Sequence, residues 1–231
     1  MLKSFDFDLL TFDCYGTLVD WETGIFAALK PVLATHGKSI SDAELLEFYG
    51  EFEADAEAGA YQSYRNVLRS VVRNFGRRLQ FTPTLDEAEA LANSVGNWRP
   101  WSDTVSALQK LAKRYRLAII SNIDDDLFGI TRLYLGVEFD QVTTAQQARC
   151  YKPGLKIFQM ALEKAQVPPA RILHVGQSIY HDVLPAQSLG LATVWVNRPS
   201  PRAGVGAVKN AQGSPDLEVP DLATLAQKAG C

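Results

Sequence analysis

Four short, uninterrupted apolar runs constrain this chain most. They are residues 8–14 (DLLTFDC), 117–122 (LAIISN), 172–176 (ILHVG) and 192–197 (ATVWVN). A strand with one wet face alternates apolar and polar residues. A run that is apolar throughout suits a strand covered on both faces, as in a parallel sheet between layers of helices. Helical patterns fall between the later runs. Residues 104–115 place Val105, Leu108, Leu111 and Ala112 at helical spacing, and residues 155–165 do the same with Phe158, Ala161, Leu162 and Ala165. Residues 185–189 begin a further helix or turn before Gly190. The alternation predicts an α/β core built on a doubly wound parallel sheet.

Residues 19–97 depart from that rhythm and read as helical throughout, over 22–35, 42–57, 64–75 and 86–94, punctuated by Gly37, Gly59, Gly76 and Pro83. The expected division is therefore a core of residues 1–18 and 98–231 with a helical cap of residues 19–97. The cap enters at the carboxyl end of the first strand, where open α/β sheets bind ligands, so it is placed to act as a lid. Residues 199–220, rich in Pro, Gly, Ser and Ala, read as a surface excursion.

Composition narrows the function classes. The 231 residues are 47% apolar, enough for a sizeable core, and the net charge of −3 gives no reason to expect nucleic acid or an anionic membrane as partner. Three cysteines, Cys14, Cys150 and Cys231, make no complete disulfide framework and point to a reducing compartment. No apolar run reaches the roughly 20 residues of a membrane span, and the acids of the first eight residues interrupt any signal-like stretch. The expectation is a cytoplasmic protein. A homodimer is compatible with the sequence.

Four polar segments would converge at the carboxyl ends of the strands. They are Asp13 with Gly16 and Thr17, Ser121 with Asn122, Lys152 in Tyr151-Lys152-Pro153, and Gly176-Gln177-Ser178 followed by Asp182. Singly, each is ordinary turn or surface chemistry. In this order, with a helical block between the first and second, they define a candidate site.

The set D-C-Y-G-T-L, S-N, Y-K-P and G-Q-S-I-Y-H-D resembles the four motifs of the haloacid dehalogenase superfamily. The resemblance implies a Rossmann-like core, a helical cap and an aspartate nucleophile, which would be Asp13. Most members are magnesium-dependent phosphatases, with a second Asp two residues after the nucleophile and an acid in the fourth motif. Here those positions are Tyr15 and Gln177. A phenol with a pKa of about 10 is a poor base near neutrality, and an amide weakens a hard-cation site. Both departures resemble the 2-haloacid dehalogenase branch, whose first motif is likewise Asp-x-Tyr-Gly-Thr-Leu.

That branch implies a substrate, a small halogenated carboxylate, and roles. Asp13 would attack the halogen-bearing carbon to form an ester, which water would hydrolyse to a 2-hydroxyacid, with no cofactor and no metal. Lys152 would hold Asp13 ionised, a cation in contact lowering a carboxylate pKa by about 1–3 units. Thr17 and Ser121 would position Asp13 or the substrate carboxylate, Asn122 would donate to halide, and Asp182 with Ser178 would orient Lys152 or water. Tyr15, Trp98 and Trp101 would wall the pocket with Gln177 nearby. His181 is a candidate base. His174 and Cys14 read as core residues, and Cys150 as structural.

The resemblance also has gaps. The family's early cap arginine, which helps bind halide, aligns here with Tyr49-Gly50. Arg65, Arg69 and Arg99 are the candidate replacements, Arg65 foremost. Phe158 stands where the relatives have Tyr, and the fourth motif carries one extra residue before Asp182. Two rival readings therefore stand beside dehalogenation: a magnesium-dependent small-molecule phosphatase and a silent small-acid-binding homologue.

Overall fold

Leu9–Phe12, buried at all four positions, forms the inner strand β1. The computed structural model describes residues 5–198, 207 and 211–231. Among them β1 is joined by β2 (Arg116–Ser121), β3 (Gln141–Thr144), β4 (Ile172–Gly176), β5 (Ala192–Val196) and β6 (Leu217–Val219). Every pairing is parallel, and the spatial order is β3-β2-β1-β4-β5-β6. The order reverses at β1, which lies between β2 and β4 at the topological switch point. Phe12 is in register with Ile119 of β2 and Val175 of β4. The residues just beyond those positions therefore emerge together at the carboxyl edge.

The expected α/β doubly wound sheet is present, with two strands beyond the four read from the sequence. β3 is short, with three of its four residues polar, and its carboxyl end buries Thr143 and Thr144. β6 has three residues and falls inside the stretch read as a surface excursion. Half of that stretch, residues 199–206 and 208–210, lies outside the described residues.

The insertion after β1 is helical. It consists of α1 (Trp21–Thr35), α2 (Asp42–Glu57), α3 (Tyr64–Leu79), α4 (Leu85–Ala88) and α5 (Ala90–Ser94). Asp20 and Ser63 cap α1 and α3, while Ser41 with Glu44 and Thr84 with Glu87 form capping boxes for α2 and α4. The helix expected to stop at Gly76 runs on to Leu79. A side chain at Gly76 would come within 2.7 Å of Phe81 O, so this glycine admits a returning backbone instead of ending the helix. The core supplies α6 (Thr104–Leu111), α7 (Asp125–Thr131), α8 (Ala145–Ala148), α9 (Leu155–Ala165), α10 (Leu184–Ser188) and α11 (Leu222–Lys228). A π-helical turn, Ile179–Val183, leads into α10. Among the described residues no helix is long and apolar enough to cross a membrane.

Two clasps hold the insertion over the sheet. At its root the chain leaves and returns side by side, with Asp20 N donating to Arg99 O at 2.9 Å and Trp101 N to Leu18 O at 3.1 Å. On the far side, Asp124 accepts from Tyr64 N at 2.9 Å and Arg65 N at 3.0 Å, the first backbone amides of α3. A core carboxylate thus meets the positive end of an insertion helix.

Trp98, buried at the root, packs directly against Gly24 of α1. A methyl group there would sit 2.2 Å from Trp98 Cδ1 and 2.3 Å from Nε1. Gly24→Ala should therefore destabilise the protein by about 1–3 kcal/mol through overpacking, although alanine is the better helix former. Urea unfolding checks this, and an unchanged or higher midpoint would contradict the contact.

Candidate active site

Asp13 is the first residue beyond β1. Its N–H donates to Val175 O at 3.0 Å, which continues the ladder and fixes the carboxylate at the sheet's edge. The chain then turns sharply, with Leu18 N and Val19 N both donating to Cys14 O. Gly16 makes the turn possible at φ +93°, and a side chain there would also meet Gln177 Oε1 at 2.8 Å. The turn brings Thr17 back under Asp13. Its hydroxyl donates to Asp13 Oδ2 at 2.7 Å and accepts from Gln177 N at 2.8 Å. Thr17 thus ties the first motif to the fourth.

Lys152 reaches the other carboxylate oxygen. Its Nζ lies 2.8 Å from Asp13 Oδ1, 2.6 Å from Asp182 Oδ1 and 3.1 Å from Ile120 O. An ammonium has three donors, and these three acceptors use them all. Asn122 locks the lysine's backbone: its Oδ1 accepts from Lys152 N at 2.7 Å and its Nδ2 donates to Lys152 O at 3.2 Å. The side chain expected to meet halide is chiefly a brace. Asp182 also accepts from Ser178 N at 3.2 Å and stands 3.3 Å from His174 Nε2, whose other ring nitrogen is 2.9 Å from Thr11 Oγ1. His174 is buried as expected, yet it belongs to the support of this site.

Burial sets the charge balance. It opposes ionisation of Asp182, but Lys152 and His174 together outweigh it and hold that carboxyl below the usual range. For Asp13, burial is the larger influence. Lys152 and Thr17 pull down, the Asp182 charge pushes up, and the carboxyl ends above its ordinary 3.8. Lys152 does lower it, as expected, but burial outweighs that pull and the net shift is upward. Burial alone would lower the Lys152 pKa, but the two carboxylates raise it above the ordinary value.

The cleft above Asp13 has a volume of about 50 Å³, in a measure where one water needs roughly 10–15 Å³, so it suits a molecule of a few heavy atoms. The structure brings Asp13, Tyr15, Ser121, Asn122, Lys152, Gln177, Ser178, His181 and Asp182 to its wall. Ser121 Oγ is buried there without a hydrogen-bond partner. Tyr15 OH is 2.8 Å from Thr131 Oγ1, and the ring stands edge-on to Trp98.

Other expectations are corrected. Trp98 backs Tyr15 instead of lining the cleft, its Nε1 donating to Ser94 Oγ at 3.0 Å. Trp101 bonds Gly16 O at 3.1 Å. Arg65 turns to Asp126, Arg69 to Glu89, and Arg99 stacks on Tyr134, so none of the three reaches the wall. Gly50 packs against the backbone of Ala207.

The insertion contributes different groups: Trp21, Tyr64, Glu53 and Glu57. Glu53 is buried, and its Oε1 accepts from Tyr49 at 2.9 Å and Tyr64 at 2.6 Å. Burial, only partly offset by the two phenols, pushes its pKa up to about 7. Glu57, one turn on, is also raised, by burial and then by the Glu53 charge. One signal for Glu53 was visible: it follows Leu45, Leu46, Tyr49 and Phe52 on the apolar stripe of α2, where helical spacing calls for a hydrophobe.

The donor set does not fit magnesium. That ion needs carboxylate oxygens, whereas Asp13 and Asp182 both point an oxygen at Lys152 and the fourth motif offers the amide Gln177. The ammonium holds the place between the two acids.

A raised Asp13 pKa means that the ionised form is lost at a higher pH as acid is added. Carbon-13 NMR titration should place Asp13 above 3.8, and Lys152→Met should raise it further, since burial and the Asp182 charge would remain. Titration at or below the ordinary aspartate value would contradict this balance.

Comparison with known proteins adds an independent line. The family model for haloacid dehalogenase-like hydrolases matches residues 7–190. An (S)-2-haloacid dehalogenase from Pseudomonas fluorescens is 24% identical over 93% of this chain and 92% of its own. A glyceraldehyde 3-phosphate phosphatase from Methanothermobacter thermautotrophicus is 35% identical over 80% of this chain and 84% of its own. A haloacid dehalogenase-like hydrolase domain-containing protein 3 from Danio rerio is 36% identical, but that match spans 44% of this chain and 43% of the relative. In fold, the L-2-haloacid dehalogenase of Xanthobacter autotrophicus with chloropropionic acid covalently bound superposes with a TM-score of 0.79, at 21% identity, over 96% of this chain and 97% of that one.

Proposed function

The chain belongs to the haloacid dehalogenase-like hydrolases, and we propose that within them it hydrolyses carbon–halogen bonds through Asp13 without a metal. The observation that carries this reading is Lys152 Nζ seated between Asp13 and Asp182 at 2.8 and 2.6 Å. The kinship with an (S)-2-haloacid dehalogenase over 93% of this chain supports short 2-haloacid substrates.

The chemistry runs in two displacements. An Asp13 oxygen attacks the carbon beside the carbonyl; the new C–O bond forms as halide leaves with the electron pair of the C–X bond. Halide needs no proton, so the absence of an acid at Tyr15 costs this step nothing. Water then adds to the Asp13 acyl carbon and the acyl–oxygen bond breaks. The product hydroxyl keeps the oxygen Asp13 supplied, and one proton is released overall. His181, on the cleft wall, is a candidate to take that proton from water. Asp182, held strongly ionised, is the poorer base and serves to fix Lys152.

Phosphatase chemistry is the rival reading, favoured by the 35% identical relative. It requires an acid to protonate an alkoxide and a cation to neutralise phosphate. Tyr15 and Gln177 stand where those carboxylates would be, and burial pushes the Tyr15 phenol well above its ordinary value. Halide release from short 2-chloro acids decides between the two. Activity should survive chelation, aryl phosphate should be turned over poorly with or without magnesium, and Asp13→Asn should lose on the order of a thousandfold or more. Loss of activity with chelator and its recovery with magnesium would instead establish the phosphatase.

A further inference from the structure

The turn that follows Asp13 is held by its carbonyls. Gly16 O accepts from Trp101 Nε1 at 3.1 Å. Leu18 O accepts from Thr104 Oγ1 at 2.8 Å and from Trp101 N at 3.1 Å. Between them, Thr17 O accepts twice from Arg198, from Nε at 3.1 Å and from Nη2 at 2.9 Å. Three successive carbonyls are thus fixed from behind, the middle one by a charged donor.

Arg198 follows β5, and its side chain is only 8% exposed. Its Nη1 donates to Asp103 Oδ1 at 2.8 Å, and its guanidinium lies over the Trp101 ring, 4.9 Å from the centroid. The other Asp103 oxygen accepts from Leu222 N at 2.8 Å, at the start of α11. One edge of the guanidinium grips Thr17 O while its far nitrogen holds Asp103. An ammonium, which is a compact point donor, does not reproduce that fork.

What Thr17 does in the site runs through that backbone. Its hydroxyl donates to Asp13 Oδ2 and accepts from Gln177 N. A threonine side chain is short and stiff about χ1, so the peptide's position sets the hydroxyl's direction. Arg198 itself is not on the cleft wall. Taking Asp13 as the attacking group, as above, we propose that Arg198 is a positioning residue: it fixes the Thr17 peptide so that the Thr17 hydroxyl holds Asp13 and the fourth motif in register.

Arg198→Met in the whole protein tests this, with folding checked by circular dichroism. Arg198→Lys, which keeps the charge, takes its place if the methionine variant does not fold. With the Thr17 bond loosened, Asp13 should titrate at a higher pH by carbon-13 NMR than in the native protein, because that bond pulls its pKa down. The Gln177 amide should exchange its hydrogen faster, while the Asp13 amide, bonded to Val175 O in the sheet ladder, keeps its protection. With 2-chloropropionate, kcat should fall on the order of a hundredfold at nearly constant KM, the cost of a misplacement of about 1 Å. Unchanged Asp13 titration and Gln177 exchange, or a native kcat, in the variant measured would overturn the proposal. So would faster exchange shared by the Asp13 amide, which would mark a merely structural role. The two NMR readouts need no substrate. If they move as expected and the native protein releases no halide from 2-chloropropionate, the positioning role stands and the dehalogenation reading alone fails.

Discussion

The ammonium of Lys152, buried between two carboxylates and a carbonyl, is the contact on which the site depends. Burying three charges is costly, and removing one partner of such a group typically destabilises by about 3–5 kcal/mol. The surroundings answer that cost by satisfying the remaining oxygens. Thr17 donates to Asp13, Ser178 N donates to Asp182, and His174 stands behind Asp182. These groups come from the carboxyl ends of β1 and β4 and the turns after them, while Asn122 at the end of β2 clamps the lysine's backbone. The parallel register of the three strands is what makes the convergence possible.

From that contact a division of labour follows. The sheet holds the Asp13 carboxylate with both oxygens engaged, and the lysine ammonium sits between the two acids. The insertion closes the cleft and brings Glu53 and Glu57 to it. Its own position is fixed by Asp124 at the start of α3 and by the paired backbone at its root.

Much of this was legible in the residues. The inner strands announced themselves as unbroken apolar runs, and motif order was enough to bring Asp13, Thr17, Ser121, Lys152 and Asp182 to one edge. The edge strands were harder: Gln141–Thr144 is mostly polar, and Leu217–Val219 is too short to show a pattern. Side-chain direction was hardest. Arg65 sits at the start of α3 near the cleft, but Asp126 captures it. Glu53 reads as an ordinary surface acid until its place on the buried stripe of α2 is counted. The net effect of Lys152 on Asp13 depended on burial, which no spacing reveals.

The central claim is that Asp13 itself forms the bond to carbon. A single turnover in water enriched with heavy oxygen, with enzyme in excess over 2-chloropropionate, tests it directly. Ester hydrolysis at the acyl carbon places the label in the Asp13 side chain, found by mass spectrometry of the peptide that carries it, and leaves the hydroxy product unlabelled. Label in the product with an unlabelled Asp13 would show that water attacks the substrate carbon directly, and would contradict the account.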